Sequence, residues 1–246
     1  MIKIKTAPEI DGIRRSCKLL KKMSDMISTH IAAGRKTEDI ANLAEEFIYS
    51  NGAVPAFPPE GFPSCICVSV NDEVVHGIPG DYVMQDGDLV SVDMGLILDG
   101  YYSDMAISAV AGSASSEAQN LMDVTAECLK KGMEQFRAGN HLGDISHAIA
   151  SFAEKNGFSV VRQFTGHGIG VELHEEPQIL NYGRPGTGPE LKNGMVFAIE
   201  PMINAGSWEV RIDDNGWTAR TSDGSLSAHF EHTVALVDGV GEILTA

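Results

Sequence analysis

Near the start of the chain, Ile10, Ile13, Cys17, Leu20 and Ile27 recur at helical spacing with charged residues between them. Thr6 followed by Glu9 forms a capping-box signature, and Gly34 supplies a stop, so the pattern predicts a helix over residues 7–33. A second helix is predicted over residues 37–51, with Ile40, Leu43, Ala44, Phe47 and Ile48 facing inward. Later segments change period. DGDLVSVDMGLILDGYYSDMAISAV, NGMVFAIEPMI and SLSAHFEHTVALV read as strands, the first interrupted by an Asp99-Gly100 hairpin turn.

The pattern repeats. AGRKTEDIANLAEEFIYSNG, from Ala33, aligns without gaps to AGNHLGDISHAIASFAEKNG, from Ala138. Seven positions are identical: Ala33/Ala138, Gly34/Gly139, Asp39/Asp144, Ile40/Ile145, Phe47/Phe152, Asn51/Asn156 and Gly52/Gly157. A helix over residues 116–138 precedes the second copy, as the first helix precedes the first. Each copy runs on into strands that carry acids in matching context. Asp93 and Glu200 each fall six residues after a glycine, and Asp104 and Glu231 sit in YYSDMAISAV and AHFEHTVALV. Helices grouped ahead of alternating strands predict an α+β fold with a mostly antiparallel sheet. One domain over residues 1–246 is expected, with halves of about 1–112 and 113–246.

Composition narrows the setting. The 246 residues are 43% hydrophobic, enough for one large core or two smaller ones, and 21% charged with both signs present, which argues against disorder. A formal net charge of -16 repels phosphate and disfavours nucleic-acid or anionic-membrane binding. No apolar run approaches the roughly 20 residues of a membrane span. The opening MIKIKTAPEIDGIRR carries no apolar signal region. The four cysteines (Cys17, Cys65, Cys67 and Cys128) do not make a disulfide scaffold; reduced thiols and a cytoplasmic protein are expected. Cys65 and Cys67 lie two apart on a predicted strand, hence on one face, and read as packing or pocket lining before zinc ligands.

The acids carry the candidate chemistry. Asp93, in Val90-Ser91-Val92-Asp93-Met94, and Glu200, after Val196-Phe197-Ala198-Ile199, sit in apolar strand-like runs, where a carboxylate is costly unless paired or bound to a cation. The Asp99-Gly100 turn folds Asp104 back beside Asp93. If the second half brings Glu200 and Glu231 to the same place, four like charges converge, and two divalent cations would cancel them. His167, flanked by glycines in TGHGIG, adds an imidazole that shifts preference toward manganese, iron, cobalt or zinc. His174 follows in LHEEP, but no helical HExxH motif is present.

With these residues in place, NDEVVHGIPG, SVDMGLILDGYYSD, TGHGIGVELHEEP, GMVFAIEPMI and SLSAHFEHT resemble, in order, the signatures of type I methionine aminopeptidases. That family has a pita-bread fold of two pseudo-symmetric halves. The resemblance implies that Asp93 chelates one metal, Asp104 and Glu231 bridge both, and His167 and Glu200 complete the other shell. It implies a metal-bridged hydroxide attacking the scissile carbonyl, with Glu200 as proton shuttle. His76 would lie near the leaving group and His174 near the oxyanion. Phe62, Cys67 and Trp217 would surround the methionine side chain together with Leu173, which stands where relatives often carry an aromatic. Pro59 replaces a tyrosine found in some relatives, and Gly95 a common threonine. All three departures bear on pocket shape.

The resemblance further implies two divalent ions (Mn, Fe, Co or Zn). It implies, as substrates, N-terminal segments of newly made proteins with a small second residue, including chains still at the ribosome. A monomer without direct nucleic-acid or membrane contact is expected. Alternatives within the fold are an Xaa-Pro aminopeptidase or dipeptidase, usually built with an extra N-terminal domain, or a weak paralogue serving as a binding module. Only 26 positions separate His174 from Glu200, which leaves no room for the long insertion of type II relatives.

Overall fold

The computed structural model describes all 246 residues. Helix α1 spans Ala7–Ser28. At its start the Glu9 carboxylate accepts from the Thr6 amide at 2.6 Å and the Thr6 hydroxyl at 2.7 Å. It ends before residue 33, where the periodicity had extended it. The Met26 carbonyl, which should accept the next helical amide, takes the Thr29 amide at 3.2 Å and the Thr29 hydroxyl at 2.8 Å instead. Such side-chain competition closes helices locally. Helix α2 spans Thr37–Ser50, α3 Ser116–Glu134 and α4 Leu142–Lys155. Helix α3 also stops short of residue 138, because Phe136 turns inward and stacks on Phe197 with ring centroids 4.8 Å apart.

The internal repeat is structural. Helices α2 and α4 are both 14 residues long. Asp39 accepts from the Lys36 amide at 3.0 Å, and Asp144 from the His141 amide at 2.6 Å. Asn51 donates its side-chain amide to the Phe47 carbonyl, and Asn156 to the Phe152 carbonyl, each at 2.8 Å. Gly34, Gly52, Gly139 and Gly157 all take positive φ, which β-carbon-bearing residues avoid. Ile40 and Ile145 are fully buried. Six of the seven identities therefore mark the start, end or buried face of one repeated helix.

Every strand pair is antiparallel. In the first half, Asp88–Leu98 and Tyr101–Ala111 pair along their full length across the Asp99-Gly100 turn. Both turn residues have positive φ, as a tight two-residue hairpin requires. The second half departs from the expected copy. Val196–Ile199 pairs with His232–Val237, and Met202–Asn204 with Ser227–His229. Glu200 and Glu231 fall in the break between these two pairings. Pro201 has no amide to continue the ladder.

Helices α1 and α2 cover the first hairpin and enclose one apolar cluster, while α3 and α4 enclose another against the later strands. A third cluster, with Ile13, Cys17, Phe62, Leu173 and Val196, lies on the seam between them. The seam is also hydrogen-bonded. The Glu231 amide donates to the Ala106 carbonyl at 3.0 Å. The Asp104 amide donates to the Thr233 hydroxyl at 3.2 Å, and that hydroxyl donates to the Asp104 carbonyl at 2.8 Å. Thr233→Val should therefore leave a buried amide unpartnered and cost about 1–3 kcal/mol. Urea denaturation of the metal-free protein measures this; an unchanged midpoint would count against the stitch.

Candidate metal centre

The hairpin register decides how the first two acids meet. Asp93 lies opposite Ala106 and Asp104 opposite Gly95, so the carboxylates are diagonal neighbours on one face. A β-carbon on Gly95 would come within 2.8 Å of the Phe57 ring, so glycine lets that ring pack against the hairpin. The strand Gly166–Gly168 brings His167 in from the second half. β-Carbons at Gly166 and Gly168 would meet the carbonyls of Ala198 and Glu176 at 2.4 Å and 2.3 Å. Those glycines allow the close approach that places His167 Nε2 at 3.6 Å from Asp104 Oδ2 and 3.5 Å from Glu200 Oε1. Ligand atoms of Asp104, His167 and Glu231 all lie within 4.8 Å of one another.

These donors suit divalent cations. Asp93 Oδ1, Asp104 Oδ1 and Glu231 Oε1 are buried without a hydrogen-bond partner. The Gly168 carbonyl lies 3.0 Å from His167 Nδ1 and can only accept, so Nδ1 carries the proton and Nε2 turns its lone pair toward the carboxylates. Burial lowers the His167 pKa to about 3, which keeps that lone pair free. Burial and mutual repulsion raise the carboxyl of Asp93 to about 7 and those of Asp104 and Glu231 well above normal. For Glu200, burial is the cause of the rise. A cluster that holds protons this tightly lacks positive charge.

The five residues line one end of a cavity of about 360 Å³. Phe62, Cys67, Leu173 and Trp217 also line it, as do His76 and His174. Phe62 and Trp217 meet edge-to-face with centroids 5.4 Å apart. His76 adopts φ 59°, an unfavourable backbone for a residue with a β-carbon, and its ring meets Phe164 edge-on at 5.3 Å. The His174 ring lies 4.5 Å from the His167 ring. Cys67 is buried and its pKa is raised well above normal, chiefly by desolvation, so it presents a neutral thiol. Cys65 does not share its face. It precedes the Ile66–Val70 strand, outside the alternation, and its thiol bonds the Ala41 carbonyl of α2.

Known proteins share this fold. The model of metallopeptidase family M24 matches residues 11–238. A methionine aminopeptidase of Clostridium perfringens is 48% identical over 246 residues, covering 100% of this chain and 99% of its own. The chain belongs to metallopeptidase family M24. The crystal structure of methionine aminopeptidase from Rickettsia prowazekii superposes with a TM-score of 0.98 at 44% identity, covering 100% of both chains. The two-halved pita-bread architecture is thus shared. A prolidase from Pyrococcus horikoshii shares the fold alone, with a TM-score of 0.81 at 24% identity; this chain covers 63% of it.

At this cavity, Leu173 is buried in the seam cluster and faces inward. Pro59 does not reach the cavity; its neighbour Glu60 does, with Oε2 3.8 Å from His174 Nδ1. Neither Glu60 nor Gln163 was visible in the motifs, because Glu60 faces the cavity from a single short 3-10 turn (Pro58–Glu60) and Gln163 from a loop, and neither has a periodic pattern. His229, 1% exposed, was also missed; its Nε2 lies 3.6 Å from Glu200 Oε2.

The raised carboxyls give a pH signature. A carboxyl whose pKa is higher folded than unfolded contributes stability below its unfolded value, about 4, and loses it as pH rises through the folded value. Metal-free protein should thus lose stability from about pH 4 to about pH 7, the Asp93 value. Adding Mn²⁺ or Co²⁺ at pH 7 should release protons and stabilise the fold by about 2.7 kcal/mol at 100-fold excess over Kd. Thermal melts and calorimetry in two buffers check both. A metal-free melting temperature that rises across this range would contradict the cluster.

Proposed function

We propose that the chain is a metal-dependent methionine aminopeptidase that removes the N-terminal methionine from newly made proteins and peptides, preferring a small second residue. The observation that carries this reading is a single cavity joining the Asp93–Asp104–His167–Glu200–Glu231 cluster, buried at Asp104, His167 and Glu231, to an apolar slot of Phe62, Cys67, Leu173 and Trp217. An aromatic slot with a neutral thiol suits a flexible thioether. The relatives named methionine aminopeptidase match over the whole chain, and this supports the same substrate here.

Two divalent cations, of Mn, Fe, Co or Zn, would supply Lewis acidity and an activated water in this cluster. Asp104 and Glu231 would lie between the two positions, Asp93 toward one, and His167 with Glu200 toward the other. Glu200 accepts the water proton at a carboxylate oxygen and passes it to the leaving amine. His174 donates to the developing oxyanion, and His76 faces the leaving group. The substrate's free α-amino group meets the carboxylate end of the cavity, which restricts cleavage to the first residue. The reading treats residues 1–246 as one catalytic unit with halves of about 1–112 and 113–246. It fits a monomeric cytoplasmic enzyme acting on chains at or released from the ribosome. No helix is long and apolar enough to cross a membrane.

Reconstituted protein should cleave Met-Ala-Ser and leave Ala-Pro intact; the reverse preference would favour the prolidase reading. Glu231→Ala should abolish turnover and weaken metal binding, and retained turnover after re-metallation would sink the ligand assignment. His174→Ala should lower kcat by about 10²–10³-fold with a smaller change in KM. A loss confined to KM would rule out its oxyanion role.

A further inference from the structure

His229 has no role in the reading above, yet it is one of the few buried side chains with an unmet polar atom. It is 1% exposed, and its Nε2 has no hydrogen-bond partner. The nearby His232 shows the contrasting case of a core histidine with its need met, since its Nδ1 lies 2.8 Å from the Thr245 hydroxyl. His229 Nε2 instead faces Glu200 Oε2 at 3.6 Å, while the other oxygen of the same carboxylate faces His167 Nε2 at 3.5 Å. Glu200 is bracketed by two imidazoles, one on each oxygen.

The two imidazoles are not equivalent. The Gly168 carbonyl claims the Nδ1 proton of His167, so its Nε2 is a lone pair that a metal cation reconciles with an ionised Glu200 Oε1. On the other side, a lone pair on His229 Nε2 would set two buried acceptors against each other. A proton there converts the same contact into a charge-assisted hydrogen bond. We propose that His229 is a positioning residue for Glu200, donating Nε2–H to Oε2 so that Oε1 alone is presented to the metal beside His167.

The backbone supports this task. The Ser108 hydroxyl donates to the His229 carbonyl at 2.8 Å and accepts from the His229 amide at 3.0 Å. Ser108 in turn lies 2.7 Å from the hydroxyl of Ser91, two residues before Asp93. Met202, two residues beyond Glu200, pairs directly with His229. Both halves thus fix the backbone that carries the imidazole. Glu200 lines the substrate cavity and His229 does not, so His229 acts through Glu200.

The inference rests on the aminopeptidase reading for the role of Glu200, but its test separates the two. His229→Leu removes the donor; His229→Gln keeps an amide donor at similar reach. Calorimetric titration of the metal-free proteins with Mn²⁺ or Co²⁺ should show about 10–100-fold weaker binding in His229→Leu, as for other residues that orient metal ligands, and recovery in His229→Gln. With Met-Ala-Ser, kcat should fall in His229→Leu while KM holds. Wild-type metal affinity in His229→Leu, or equal loss in both variants, would overturn the proposal. Should His229→Leu not fold, ¹⁵N-imidazole spectra of the metal-loaded wild type decide: a proton on Nε2 supports it, and a proton confined to Nδ1 overturns it. A wild type that binds metal yet cleaves no Met-peptide would instead defeat the aminopeptidase reading and leave the metal titration and the imidazole spectra as tests of His229.

Discussion

Four carboxylates gathered largely out of water around one imidazole are the constraint on which this molecule turns. Asp93, Asp104, Glu200 and Glu231 come from both halves, and burial raises the pKa of each. Without cations the cluster favours protonation and opposes the fold at neutral pH; with the proposed cations the same charges would become an attraction that joins the halves. Metal binding, seam stability and catalysis are therefore one electrostatic problem. The apolar seam around Ile13, Phe62 and Val196 supplies the surrounding low polarity that strengthens every charge interaction within.

The seam does more than exclude water. Thr233 and Ser108 satisfy backbone groups across it, and the Glu231 amide reaches the Ala106 carbonyl of the first hairpin. The Thr233 and Glu231 bonds each fix an acid of one half against a strand of the other, and the Ser108 bond fixes His229 in the same way. Glycines do the complementary work: Gly166 and Gly168 let His167 approach where any side chain would collide with backbone carbonyls. The pocket inherits this rigidity, since Phe62, Leu173 and Trp217 belong to or pack against the same seam cluster as Cys17 and Ile13.

Local signals were legible in proportion to their locality. The Thr6–Glu9 pair, the Asp99-Gly100 turn and the repeated Asp, Asn and Gly of α2 and α4 act within a few residues, so their spacing reveals them directly. Helix ends were less legible, because the early stop at Ser28 depends on which side chain wins the Met26 carbonyl. The repeat led to an expectation of matched acid-bearing strands. The break at Glu200-Pro201 shows that the second half meets the same need with acids between ladders.

The sequence by itself determined the helices, the first hairpin, the duplicated unit and the identity of the acids that must be neutralised. Each of these follows from period, turn chemistry and the cost of a carboxylate in an apolar run. Tertiary structure alone decided that Asp93 and Asp104 sit diagonally and that Cys65 and Cys67 part company. It alone turned Glu60 to the pocket rim in place of Pro59, and set His229 behind Glu200. Those outcomes depend on register and on contacts between segments far apart in the chain, and no local spacing encodes the distance between two halves until they have closed on each other.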